Sequence, residues 1–402
     1  MTAQIVILNK LCAGVSSDSS VTLSGRDGPK RTFPTAEKIL PLPPPHNIVV
    51  LHGGATELLG VPYSVFLGEW MQALPDSPLE KVLDYRTNLE AWVIAQGDLF
   101  AKDAQDEYLH WIVRDYLLAV RRDLLKRCQE TGLEEGDWNS TQAASIVEEV
   151  ISSSLEYLGN RPYLRGWEDV DCGAILRAHD DLFKETMEWV FDDTPRTETG
   201  DDGLKELTET LLAVYEEYSR DAVLTIVGYG ADELFPASEK VIFQGIIDGR
   251  LRVGPIDSTS ITVDMSSSII PLGQTEAVHT FLRAYNPAFL SKAHERLGSV
   301  VDKVREIVGA EPAVLSKMEE LEATGHEELD SDFEALSWGE FLQPMVDTVA
   351  GLPPAEVARM AEALVGLQVL RQLTQADAET VGGPIDVAIV TRHDGVRWIR
   401  HK

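Results

Sequence analysis

The sequence predicts an α+β fold in which a sheet core is covered by helices. Three observations predict it. Short apolar runs with strand character sit near both ends and in the middle of the chain, and two long stretches between them carry helical periodicity. Asp-Gly dipeptides at 248–249 and 394–395 mark tight hairpins. The order is strands, helices, strands, helices and a final hairpin. No stretch reads as a free linker and no repeat is visible, so residues 1–402 are expected to form a single elaborated domain.

Each element has its own warrant. Residues 3–9 and 11–17 are apolar runs that read as buried strands. The segment SGRDGPK at 24–30 is a loop broken by Gly25, Gly28 and Pro29. Residues 38–42 and 48–52 are strand candidates separated by prolines, and Gly53 and Gly54 follow directly, where backbone can approach a ligand. Residues 58–220 read as mainly helical, with Val113, Leu117, Val120 and Leu124 on one stripe. Strand character returns at 222–228, 239–247 and 251–253. Residues 274–370 are again helical, with Val357, Met360, Leu364, Leu367 and Leu370 in period, and 385–390 with 396–399 form the closing hairpin.

Composition limits the function classes. The net charge is −31, from 35 basic and 66 acidic residues, and such a surface repels phosphate backbones. No nucleic-acid partner is expected. No apolar run approaches the roughly 20 residues that span a bilayer. The opening MTAQIVILNK does not read as a secretory signal. Cys12, Cys128 and Cys172 lie far apart without metal-ligand spacing, a usage that fits a reducing cytoplasm. None of the nine histidines forms a ligand pair, and GYG at 228–230 does not continue into a dinucleotide fingerprint. No metal, cofactor or membrane association is expected.

The candidate chemistry begins at Thr2. A small residue after Met1 permits removal of that Met, which would leave Thr2 with a free α-amine. A hydroxyl beside an amine of pKa roughly 7.7–8.0 is a compact nucleophile–base pair. Further along come A-G-V-S-S-D-S-S-V-T, then T-A-E-K-I-L, then I-V-V-L-H-G-G-A-T. With Asp18 sixteen residues after Thr2, this pattern resembles the proteasome β-subunit family of N-terminal-nucleophile (Ntn) hydrolases and its bacterial relatives. The closing T-V-G-G-P-I-D-V-A-I-V and the GYGADELFP segment at 228–236 resemble the less characterised bacterial proteasome-like branch. The likeness covers roughly residues 2–65, 222–275 and 378–400.

That resemblance implies a four-layer α/β/β/α sandwich with helical insertions near 64–220 and 276–372. It also implies a threonine-type hydrolase acting on a peptide or amide bond in a closed homo-oligomer. Thr2 would be the nucleophile. Lys38 would lower the pKa of the Thr2 hydroxyl, and Asp18 would hold Lys38 charged. Gly53 or Gly54 would supply the oxyanion N–H. Thr22 and Val50 would line the substrate. Two positions depart from the family. No Ser stands in the run Ile270-Pro271-Leu272-Gly273, and Val381 occupies a position that is Ser in relatives, with Asp377 or Glu379 as possible replacements for the missing acid. The competing readings are a fold-stabilising Asp18–Lys38 ion pair, a plain tight turn at Gly53–Gly54, and a packed His52. On those readings the chain is a non-catalytic assembly or binding protein of the same fold. An unrelated α+β protein is the third reading.

Overall fold

A computed structural model describes residues 2–23, 31–133, 141–192, 194, 198–218, 220–308, 312–374 and 381–402. The chain opens with β1 (Ala3–Asn9) and β2 (Ala13–Asp18). Asn9 makes the turn between them, its Oδ1 accepting from Leu11 N at 2.9 Å and Cys12 N at 3.0 Å. Its amide donates to the carbonyls of Val349 and Leu352, which ties the turn to the later helices. The second strand therefore starts at Ala13 rather than at residue 11, because Leu11 and Cys12 are spent on the turn.

The elements then run β3 (Val21–Leu23), β4 (Arg31–Phe33), β5 (Ile39–Pro41), β6 (Asn47–Gly54), β7 (Glu57–Leu58) and β8 (Val61–Pro62). A helical block follows: α1 (Tyr63–Ala73), α2 (Val82–Ala95), α3 (Lys102–Glu130), α4 (Thr141–Gly159), α5 (Cys172–Ala178), α6 (Asp180–Phe191) and α7 (Glu198–Ala213). Next come β9 (Ala222–Tyr229), β10 (Ala237–Ile247), β11 (Arg250–Val253), β12 (Asp257–Ser260) and β13 (Ser267–Gly273). The second helical block is α8 (Glu276–Arg283), α9 (Pro287–Val308), α10 (Pro312–Leu336), a π-helical turn at Ser337–Leu342, α11 (Gln343–Ala350) and α12 (Pro354–Leu373). The hairpin β14 (Ile385–Thr391) and β15 (Gly395–Arg400) closes the chain.

Two antiparallel sheets carry the fold. One has the order β13–β1–β2–β14–β15, and the other the order β11–β10–β9–β6–β5 with β12 beside β10. Alternation along β1 explains why all seven of its residues are buried. Val6 and Leu8 join Val49, Leu51 and Val227 of the other sheet in one cluster. Ile5 and Ile7 point the opposite way and join Val357, Ala361 and Leu364 of α12. Such full burial is worth about 1.5–3 kcal/mol per aliphatic side chain. On the six-stranded sheet, Ile48, Val50, Leu224 and Ile226 meet Phe66, Trp70 and Leu89 of α1 and α2.

The helical blocks behave differently from one another. Val113, Leu117, Val120 and Leu124 are buried as their spacing predicts, against Val147, Val150, Leu207 and Leu211. On α12 the buried face is instead Val357, Ala358, Ala361, Leu364, Val365 and Gln368, and Leu370 is exposed. The buried face also includes Gln372, so the stripe expected through Met360, Leu367 and Leu370 is rotated off the face that packs on the sheet. Among the described residues of α9 and α10 none is buried, and Phe289, Val300, Val304 and Ile307 lie open to solvent. No helix among the described residues is long and apolar enough to cross a membrane.

Candidate active site

The site is built where β1 and β2 meet the start of β5 and the end of β6. Asp18, the last residue of β2, is fully buried, and its carboxylate accepts four hydrogen bonds. Oδ1 takes Lys38 Nζ at 2.7 Å and the N–H of Ala3 at 3.0 Å. Oδ2 takes the N–H groups of Ser20 at 3.1 Å and Gly382 at 3.2 Å. One carboxylate thus joins the residue after Thr2, the lysine ahead of β5 and the glycine ahead of β14. Lys38 is also buried. Burial is the largest influence on its ammonium and lowers its pKa, Asp18 opposes that, and the charge of Lys402 lowers it further.

Thr2 is held by the same strands. Its carbonyl accepts from Gln274 N at 2.7 Å, just past β13. Gly273 has φ +76° and packs so closely that a Cβ there would lie 2.1 Å from the Thr2 carbonyl oxygen. Gly53 faces Thr2 from the other sheet, since a Cβ on it would lie 3.8 Å from Thr2 Cβ and 3.9 Å from Cγ2. Bare backbone therefore stands opposite the threonine side chain. Gly54 does not. It turns away with φ +76°, and its missing Cβ would strike the Asp221 carbonyl at 2.2 Å. Of the two glycines expected to serve an oxyanion, only Gly53 is placed against Thr2.

Gln4 stitches the sheets beneath the site. Its amide donates to the His52 carbonyl at 3.0 Å and to Ser17 Oγ at 3.3 Å. The His52 ring lies 5.0 Å from the Tyr63 ring in a stacked arrangement, and its Nε2 is 2.7 Å from the Glu37 carbonyl. A carbonyl only accepts, so Nε2 carries the hydrogen. Burial first, and then the charge of Lys38, push the ring down to about 4, so it is neutral at pH 7.

The remaining sequence candidates divide. Thr22 lies in β3, paired with Thr32 of β4, and its side chain is outside the described set. Val50 does not meet the cleft. It is fully buried on the helix side of β6 with Ile48 and Leu224, so the expectation that it lines the substrate is corrected by the alternation of the strand. Asp377 and Glu379 fall outside the described residues. Val381 is buried.

Sequence reasoning passed over a second polar group beside the first. Lys402 Nζ donates to Asp386 Oδ2 at 2.8 Å, to the Ala36 carbonyl at 2.6 Å and to Ser19 Oγ at 3.3 Å. Ser19 Oγ is itself 3.3 Å from Asp386 Oδ2. Burial alone would raise the Asp386 carboxyl, but its hydrogen bonds with Lys402 and His401 hold it below the usual range. The only signal for this group was a basic tail on an acidic chain. Elsewhere, Asp106, His179 and Asp248 bring possible metal-ligand atoms within 4.8 Å of one another, but the Lys102 ammonium already sits 2.9 Å from Asp106 and 3.4 Å from Asp248.

Chemically, the arrangement combines a hydroxyl, a buried ammonium fixed by a carboxylate, and an uncovered stretch of backbone. A scan against models of known protein families finds no match, and a search of curated proteins likewise finds none.

Proposed function

We propose that this chain is a threonine-type Ntn hydrolase that cleaves peptide or amide bonds, built on the four-layer α/β/β/α sandwich of proteasome β-type subunits. The observation that carries the reading is the single carboxylate of Asp18, which holds both Lys38 Nζ and the N–H next to Thr2. With Met1 removed, the Thr2 α-amine would accept the hydroxyl proton as Oγ attacks the carbonyl carbon. Lys38 would favour the developing alkoxide through its charge. The Gly53 backbone is the nearest candidate to receive the oxyanion, an interaction worth roughly 3–4 kcal/mol in other enzymes. The same amine would then return the proton to the leaving nitrogen, and water would release the acyl group. Homo-oligomerisation in the cytoplasm belongs to this reading, supported by the exposed Phe289, Val300, Val304 and Ile307 on α9.

A second reading is supported by the apolar, buried Val381 beside Gly382, at the position where the proteasome β-type family carries a serine. On it, the chain is a non-catalytic assembly or binding protein of the same fold, and the Asp18–Lys38 pair only stabilises it. One experiment separates the two. Intact-mass analysis of the native protein should show loss of Met1, and an electrophile specific for N-terminal threonine should add once, at Thr2. Thr2→Ala should abolish the adduct, and Lys38→Ala should slow it strongly. A retained Met1, or labelling indifferent to Lys38, sinks the hydrolase reading.

A further inference from the structure

Just past the end of β6 lies a cavity of about 370 Å³ lined in part by Thr56, Glu57, Glu107, Tyr108, Arg220 and Gln244. Gln244 is 2% exposed. Its Nε2 is surrounded by acceptors: the Glu216 carbonyl at 2.5 Å and the Asp221 carboxylate oxygens at 3.1 and 3.2 Å. Three acceptors fix which end of the amide is nitrogen. The oxygen is therefore left over, and Gln244 Oε1 is buried without a partner. Nearby, the buried Tyr63 hydroxyl also lacks one, and it lies close enough to Asp221 for that charge to act on it. Leaving the Gln244 oxygen unmet costs about 1–3 kcal/mol, so the wall offers a buried acceptor to a hydrogen-bond donor.

The charges at the cavity choose the donor. Glu57 and Glu107 are carboxylates on its wall, and Asp221 lies behind Gln244. Among the described residues of the wall the one cation is Arg220, whose guanidinium lies over the Trp111 ring at 4.5 Å. A chain with a net charge of −31 also draws cations towards its clefts. We propose that this cavity binds a primary ammonium group, with Gln244 Oε1 as its buried acceptor and Glu107 and Glu57 as its counter-charges. The group would come from a lysine side chain or from a free α-amine. As a substrate pocket this rests on the hydrolase reading, because the wall begins at Ala55, directly after the Gly53–Gly54 turn whose first residue faces Thr2; as a binding site it stands alone.

The test uses the full chain carrying Thr2→Ala, so that nothing is turned over. Three probes are titrated by calorimetry and NMR: Nα-acetyl-lysine methylamide, alanine methylamide with its free α-amine, and the neutral isostere Nα-acetyl-norleucine methylamide. At least one amine should bind and norleucine should not; which amine binds identifies the source. Glu107→Gln, at an exposed position, should weaken binding by about tenfold or more. Gln244→Leu should abolish it. Equal binding of norleucine, no binding of either amine, or a crystal soaked with probe that shows ordered waters only would each overturn the proposal. Amine binding by a protein that cleaves no peptide would leave the site standing and remove the hydrolase reading. Peptide cleavage without amine binding would do the reverse.

Discussion

Lys38 Nζ lies 2.7 Å from Asp18 Oδ1, and neither side chain has more than a trace of solvent around it. A pair of this kind stabilises little when intact and costs a great deal when halved. Lys38→Met should therefore destabilise the protein by about 3–5 kcal/mol, because the Asp18 charge is left buried with only N–H groups around it. Adding Asp18→Leu to Lys38→Met should recover part of that loss. Urea titration of the two variants checks both statements, and equal stability of Lys38→Met and the native protein would contradict them.

Gly273→Ala should damage the position of Thr2 more than it damages the fold. The new methyl would need left-handed backbone at φ +76° and would press on the Thr2 carbonyl. A cost of about 1–3 kcal/mol in stability is expected from the strain. Threonine-directed labelling should fall about a hundredfold, since displacement by about 1 Å is enough for that. Labelling kinetics measured beside thermal melting give the two numbers.

Two groups near the site make stability depend on pH in opposite senses. His52 takes up its proton only near 4 in the fold, against 6.5 ordinarily. Between those values the unfolded chain holds more protons, so stability is lost as pH falls from 6.5 to 4. Asp221 keeps its proton up to about 6 because of burial, against 3.8 ordinarily, so its contribution is lost as pH rises from 3.8 to 6. The two contributions oppose each other across this range. His52→Gln should leave a decline with rising pH of at most about 3 kcal/mol. Asp221→Asn should leave a smaller decline with falling pH, because the His52 ring is partly solvated. Denaturant midpoints from pH 4 to 7 decide the matter, and parallel profiles for both variants would contradict it.

Lys402→Met should loosen the segment that delivers Lys38. It removes three hydrogen bonds, to Asp386, Ser19 and the Ala36 carbonyl, and leaves Asp386 buried without its ammonium. A loss of about 1–3 kcal/mol is expected. Hydrogen exchange at Ala36 N, which donates to the Ser19 carbonyl, should accelerate more than exchange in β10.

What the sequence made legible was local. β1, β6, β9 and β14 were readable because each is largely buried on both faces and so appears as a mostly apolar run. Asp18 stood out by its sixteen-residue spacing from Thr2, and Lys38 by the T-A-E-K-I-L segment that carries it. β13 was not, because Pro271 interrupts it and Gly273 ends it, and both are signals of a turn. The strand tolerates its proline because it is the edge of its sheet. β12 is four polar residues, also at an edge, with no pattern to show. The group formed by Ser19, Ala36, Asp386 and Lys402 joins positions from opposite ends of the chain, and no window along the sequence contains it. The polarity of Gln244 was visible, but its unpaired oxygen exists only once β10 is folded against Asp221.

The bond from Gly382 N to Asp18 Oδ2 also sets a clock. Thr2, Asp18, Lys38 and Gly53 are all made at the start of synthesis. Gln274, which grips Thr2, is made long after them, and Gly382, which completes the shell of Asp18, later still. At 5–20 residues per second, the interval between the first and last of these is about 20–80 s. Until residue 273 is made β1 lacks its β13 neighbour, and until residue 382 the shell of Asp18 is incomplete. The surroundings of Thr2 and Asp18 are therefore complete only once Gly382 has been made and folded against Asp18.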